Sequence, residues 1–100
     1  MYADILSSVL NDWVDELSGA ALIDFAQVCR MQMLESSGGT AVVALAAELS
    51  YDRSLIKVCE EYAIGTTTRR FSHPKEERDR LEHELTAIGI DLASSSGDER

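Results

Sequence analysis

The sequence predicts an all-α fold, a compact bundle of four to five helices with a disordered acidic C-terminal tail. Three observations carry that prediction. Apolar residues recur at steps of three and four through most of the 100 residues. Clusters of Gly, Ser and Thr punctuate those stretches at helix-length intervals. The one β-prone stretch without helical period, Gly65 to Phe71, reads as a loop or a short extended piece. The expected organisation is a single helical domain over residues 1–92, followed by a disordered tail over 93–100.

The first helix is expected over Ala3–Leu17, where Ile5, Leu6, Val9, Leu10, Trp13, Val14 and Leu17 share one broad stripe. Ser18-Gly19 interrupts it. A second helix follows from Ala20 to Glu35, with Leu22, Phe25, Ala26, Cys29 and Met33 facing inward. Ile23, Val28 and Met31 widen that face and predict burial on more than one side. Ser36-Ser37-Gly38-Gly39 ends the helix, and Thr40 is placed to cap the next.

From Thr40 to Leu49 nearly every residue is small and apolar, which predicts a central helix packed on several sides. Leu55, Ile56, Val58, Cys59, Tyr62 and Ala63 resume a helical stripe after the polar Ser50-Tyr51-Asp52-Arg53. The last helix opens at His73-Pro74, since proline suits the first helical position, and Gly89 closes it. Leu81, Leu85 and Ile88 form its narrow apolar seam. Glu76–Arg80, Arg78–Glu82 and Arg80–Glu84 are its expected i,i+4 ion pairs.

Eighteen acids against nine bases give a net charge of −9, which argues against a broadly basic nucleic-acid coat. The charge is uneven along the chain. Residues 1–52 hold eight acids and one base, whereas residues 53–75 hold five bases and two acids. The start of the chain does not read as a secretory signal, and the longest apolar run, Ala41 to Ala47, is far short of a membrane span. Cys29 and Cys59 lie 30 apart with no CxxC and no neighbouring histidine, so they read as buried reduced thiols. The expectation is a soluble cytoplasmic protein without membrane association.

No catalytic constellation is legible: HExxH, GxSxG and a phosphate-binding glycine loop are all missing. Glu76, Asp79 and His83 share a helix face at metal-ligand spacing, but an exposed face laced by ion pairs explains them as well. The expectations are therefore no enzyme activity, no cofactor and no metal. Gly65 to Arg70, with three threonines and two arginines, is a candidate anion or acidic-partner site, or an ordinary polar loop.

Residues 45–60 carry a more specific spacing. Leu45, Ala46 and Leu49, then Ser50 as a small turn residue, then Tyr51, Ile56 and Cys59 resemble the helix-turn-helix of bacterial DNA-binding regulators, with Ser50 in the place of the usual glycine. The resemblance implies Asp52, Arg53, Ser54 and Lys57 as groove-facing side chains. Arg69, Arg70 and Lys75 would then contact phosphate.

Two readings of function follow. The first is a small acidic, non-enzymatic regulatory protein acting through protein–protein contacts. Its partner-binding acidic face is Asp12, Asp15 and Glu16, and one form of it is an inhibitor occupying a basic site on its target. Homodimerisation through Trp13 and Val14, or through the Leu81–Leu85–Ile88 seam, is part of this reading. The alternative is a DNA-binding regulator of repressor or antitoxin type, using Arg53, Ser54, Lys57, Arg69 and Arg70.

Overall fold

A computed structural model describes residues 2–11 and 17–92. Among these it shows four α-helices and no strand: α1 (Tyr2–Asn11), α2 (Gly19–Glu35), α3 (Ala41–Glu61) and α4 (Pro74–Ala87). Two short 3₁₀ segments, Ser36–Gly38 and Thr68–Ser72, complete the connections. No described helix is long and apolar enough to cross a membrane. The expected tail, residues 93–100, lies outside the described residues.

α1 buries Leu6 and rests Tyr2, Val9 and Leu10 against the core, while Ile5 points outward. Of its expected continuation, residues 12–16 lie outside the description, and Leu17 and Ser18 are not helical. α2 follows its apolar pattern, burying Leu22, Ala26 and Cys29 at i, i+4 and i+7. The predicted burial of Val28 and Met31 does not occur; both are about half exposed, at 52% and 50%. One buried stripe suffices because α2 packs chiefly against α3. α2 does not end in a left-handed glycine but tightens into the 3₁₀ turn Ser36–Gly38. The Thr40 hydroxyl then caps α3, accepting from the Val43 amide at 3.2 Å.

α3 is one unbroken helix through Ser50 and Tyr51, so the turn expected there does not form. The physical reason is local and tertiary together. No glycine or proline lies between Ala41 and Glu61. Tyr51, Asp52 and Ser54 also find buried partners that hold them in helical register, with the Ser54 hydroxyl donating to the Tyr51 carbonyl at 2.7 Å. The central helix expected over Thr40–Leu49 is not packed on several sides: Leu49 alone is buried in that stretch. Burial runs from Leu49 to Cys59, whereas Val42, Val43 and Leu45 are exposed. α2 and α3 therefore form a helical hairpin. Its open end is tied where the Gly19 amide donates to the Glu61 carboxylate at 2.9 Å, and its closed end leads with apolar side chains.

Both α3 and α4 end in the same capping geometry. After α4, Gly89 takes φ +93° and the Ile90 amide returns to the Leu85 carbonyl at 2.9 Å. After α3, the Ile64 amide returns to the Cys59 carbonyl at 2.9 Å, but the left-handed position is Ala63, at φ +60°. An L-side chain there costs roughly 1 kcal/mol that glycine avoids. Ala63→Gly is therefore expected to raise stability by up to about 1 kcal/mol, a rise in Tm of roughly 4–8 °C for a domain of this size. Thermal denaturation followed by circular dichroism reads it; an unchanged or lower Tm contradicts the capping account.

The core gathers Leu6, Leu22, Ala26, Leu49, Leu55, Ile56, Val58, Phe71, Leu81 and Leu85. Leu81 and Leu85 are fully buried within this one chain, so the seam expected to pair two copies is filled by the chain's own core; Ile88 alone of the three stays exposed. Leu92 folds back onto the same core, as its position after Gly89 predicts.

Candidate interaction surface

Beneath the surface, ionisable side chains fasten the helices to one another. Asp52, fully buried on α3, accepts two hydrogen bonds from Arg78 of α4, at 2.8 and 2.7 Å. It accepts a third from the Tyr2 hydroxyl of α1 at 2.5 Å. Arg78 also donates to Glu48 at 2.8 Å. Burial disfavours the Arg78 charge, but Asp52 and then Glu48 outweigh it and hold the guanidinium above its ordinary range. Burial pushes the Asp52 carboxyl up, with Arg78 and Tyr2 pulling it back. A second knot joins α2, α3 and α4, where Glu82 accepts from Arg30 at 3.1 Å and from the Tyr51 hydroxyl.

These contacts replace one of the ion pairs expected along α4. Arg78 and Glu82 do not pair with each other, because both sit on the inward side of α4, beside Leu81, where α3 offers closer partners. Arg80 forms the expected pair with Glu84 at 2.8 Å, but takes Glu77 in place of Glu76, at 2.6 Å. It also donates to the Gly65 carbonyl at 3.0 Å, tying the α3–α4 connection to α4. Thr66 donates to the same Glu77 carboxylate at 2.6 Å.

Glu77 is held below the usual glutamate range, first by its hydrogen bond from Arg80, against burial, and then by the one from Thr66. A carboxylate with a depressed folded pKa contributes stability above its unfolded pKa, and that contribution fades as pH falls through the folded value. Glu77→Gln is thus expected to be less stable than the native chain at pH 7, with the difference closing as pH falls below the ordinary value of 4.5. Urea denaturation at several pH values checks this, and a pH-independent difference contradicts it.

The residues expected to bind nucleic acid occupy separate environments. Arg53 is half-buried, lining a groove of about 220 Å³ with Val9, Ala46, Leu49 and Ser50. Ser54 is fully buried and cannot reach a ligand. Lys57 pairs with Glu60 at 3.6 Å and borders a second groove with Leu17, Leu22 and Glu61. Arg69 and Arg70 are exposed on the 3₁₀ segment, and Arg70 borders a third groove shared with His73, Glu76, Glu77 and Arg80. The locally basic stretch of sequence is thus interleaved in space with acids. Asp12, Asp15 and Glu16, the expected acidic face, lie outside the described residues, as do Trp13 and Val14.

No group of three or more His, Cys, Asp or Glu side chains among the described residues could hold a metal ion. Asp79, one of the three spaced for it, pairs with Lys75 at 3.1 Å. Cys29 and Cys59 are free and buried. Burial pushes the Cys59 thiol up to about 12, which leaves it protonated and unreactive at neutral pH.

What the surface does offer is apolar. Val28, Met31 and Leu34 are exposed on the second half of α2, and Val42, Val43 and Leu45 on the first two turns of α3. Val42 is 77% exposed. The turn Ser36–Gly38 brings these two stretches to the same end of the hairpin. Sequence reasoning missed this surface, reading Val28, Met31, Val42, Val43 and Leu45 as core because their types are those of a core. Compared with known proteins, the chain matches no family model, no curated protein and no solved structure.

Proposed function

We propose that this chain is a non-enzymatic interaction protein that docks a partner protein on the closed end of its α2–α3 hairpin. The observation that carries the reading is the group of six large apolar side chains, Val28, Met31, Leu34, Val42, Val43 and Leu45, exposed on the two helix stretches that flank the Ser36–Gly38 turn. Surface hydrophobes scattered singly need no explanation, but a gathered set marks a contact surface. Two further features support it. The buried Asp52 and Arg78 and the half-buried Glu48, Glu82 and Arg30 are engaged in bonds between helices, a structural use of charge. The net charge of −9 favours encounter with a basic partner over an acidic one.

A photo-crosslinking amino acid placed at Met31, at Val42 or at Lys75 tests the reading in the host cell. Discrete adducts to one protein are expected from the two hairpin positions and none from α4. The triple variant Val28→Gln/Met31→Gln/Val42→Gln should abolish the adduct while leaving the thermal transition within the small range typical of surface changes. Equal labelling from all three positions, or none, contradicts the proposal. Retardation of duplex DNA at about 50 mM salt that survives the triple variant would favour the DNA-binding reading in its place.

A further inference from the structure

The outer face of α2 has a more specific pattern than exposure alone. Ala21, Asp24, Val28, Met31 and Glu35 recur at steps of three, four, three and four, and all five are exposed. That is the spacing of a helix-pairing seam, here facing away from the bundle. Within it, two apolar side chains are bracketed by two carboxylates eleven positions apart, roughly 16 Å along the axis. Among the described residues, no lysine or arginine pairs with Asp24 or Glu35.

The charges decide what this seam can receive. A second copy packed antiparallel about the midpoint of Val28 and Met31 would set Asp24 beside the other copy's Glu35 at both ends. A parallel, in-register copy would set each carboxylate against its twin. Both arrangements place like charges together at the rim of the contact, on two chains that each carry −9. A helix of opposite rim charge meets neither penalty.

We infer that the outer face of α2 receives an amphipathic helix of a partner protein, with apolar residues against Val28 and Met31 and a Lys or Arg at each end against Asp24 and Glu35. The inference rests on the proposed docking role and names its partner class. Lysine suits these sites as well as arginine, since both carboxylates are exposed and the attraction needed is that of a point charge.

The test uses two stapled helical peptides as probes. One carries lysines eleven positions apart, with leucines at the fourth and seventh positions after the first lysine; the other has glutamates in place of the lysines. Fluorescence anisotropy at low salt is expected to show the lysine peptide binding at least about tenfold tighter. Asp24→Lys/Glu35→Lys should invert that ranking, and Val28→Gln/Met31→Gln should weaken binding of the lysine peptide by about tenfold or more. Equal binding of the two peptides, or a ranking unchanged by the charge reversal, overturns the inference. So does a dimer of the native chain in sedimentation that Met31→Gln dissolves. Adducts from Met31 and Val42 combined with charge-indifferent peptides overturn this inference while leaving the docking role standing. Absence of adducts and of peptide binding overturns both.

Discussion

Arg78→Met is expected to destabilise the fold by about 3–5 kcal/mol, because it strands Asp52 as a buried, uncompensated charge. At this chain length that lowers Tm by more than about 12 °C. The mechanism is distinguishable from a loss of packing. Replacing both partners, as in Arg78→Met/Asp52→Leu, removes the stranded charge along with its counterion and is expected to recover much of the loss. The pH dependence has a definite sign. Without Arg78, burial and Glu48 drive the Asp52 carboxyl further above its ordinary value of 3.8. An acid whose folded pKa is raised loses stability as pH rises through the interval between its unfolded and folded values. The gap between native chain and variant should therefore narrow as pH falls toward 3.8. Urea titrations at neutral and acidic pH measure it. A single-variant loss below about 1 kcal/mol, or a gap that widens in acid, contradicts the account.

Phe71→Ala should have a comparable effect by a different route. Phe71 is fully buried at the kink of the 3₁₀ segment Thr68–Ser72, which packs against α1 and α4. α1 itself buries only Leu6 among its described residues, so much of its attachment passes through this segment. Truncating a buried phenylalanine costs about 3–5 kcal/mol, including the cavity left behind. Hydrogen exchange should show the loss first at the amides of residues 68–72 and of α1, before those of the α2–α3 hairpin. Ile88→Ala, at a site 54% exposed, serves as the comparison and should change stability by no more than about 0.5 kcal/mol. Equal effects of the two substitutions, or exchange that rises uniformly, would show that Phe71 does not hold α1 in place.

The helix-turn-helix expectation illustrates how far spacing alone reaches. Leu45, Leu49, Ile56 and Cys59 have the same apolar spacing whether the chain turns at Ser50 or runs on. The side chains that resolve the ambiguity are polar. Asp52 and Ser54 would face a ligand after a turn; in the unbroken helix both are buried, Asp52 against Arg78, 26 residues away. Periodicity contains no term for such a pairing. For α4, likewise, i,i+4 counting finds Arg80–Glu84 but cannot foresee that Arg78 and Glu82 turn inward to Asp52 and Tyr51.

The candidate surface was hidden for the opposite reason. Val28, Met31, Val42, Val43 and Leu45 are core-type residues, and hydrophobicity records a tendency to be buried without stating by what. The acidic excess and its bias toward the first half were legible from the start. Their consequence for α2, carboxylates bracketing an outward seam, required knowing which of its faces Leu22, Ala26 and Cys29 turn to α3.

What the sequence by itself determined is the local part: an all-α chain, the course of α2 and α4, the cap at Thr40, the stop at Gly89 and two reduced buried thiols. Each follows from backbone preferences and nearest-neighbour side chains, which act within a turn or two of helix. Only the tertiary structure decided that α3 is continuous, that Asp52 and Arg78 form the bolt between α1, α3 and α4, and that the most apolar stretch of the chain faces outward. Those outcomes depend on which surfaces meet across 26 to 50 residues of sequence. There, burial competes with charge desolvation, and the balance is set by partners that no local pattern contains.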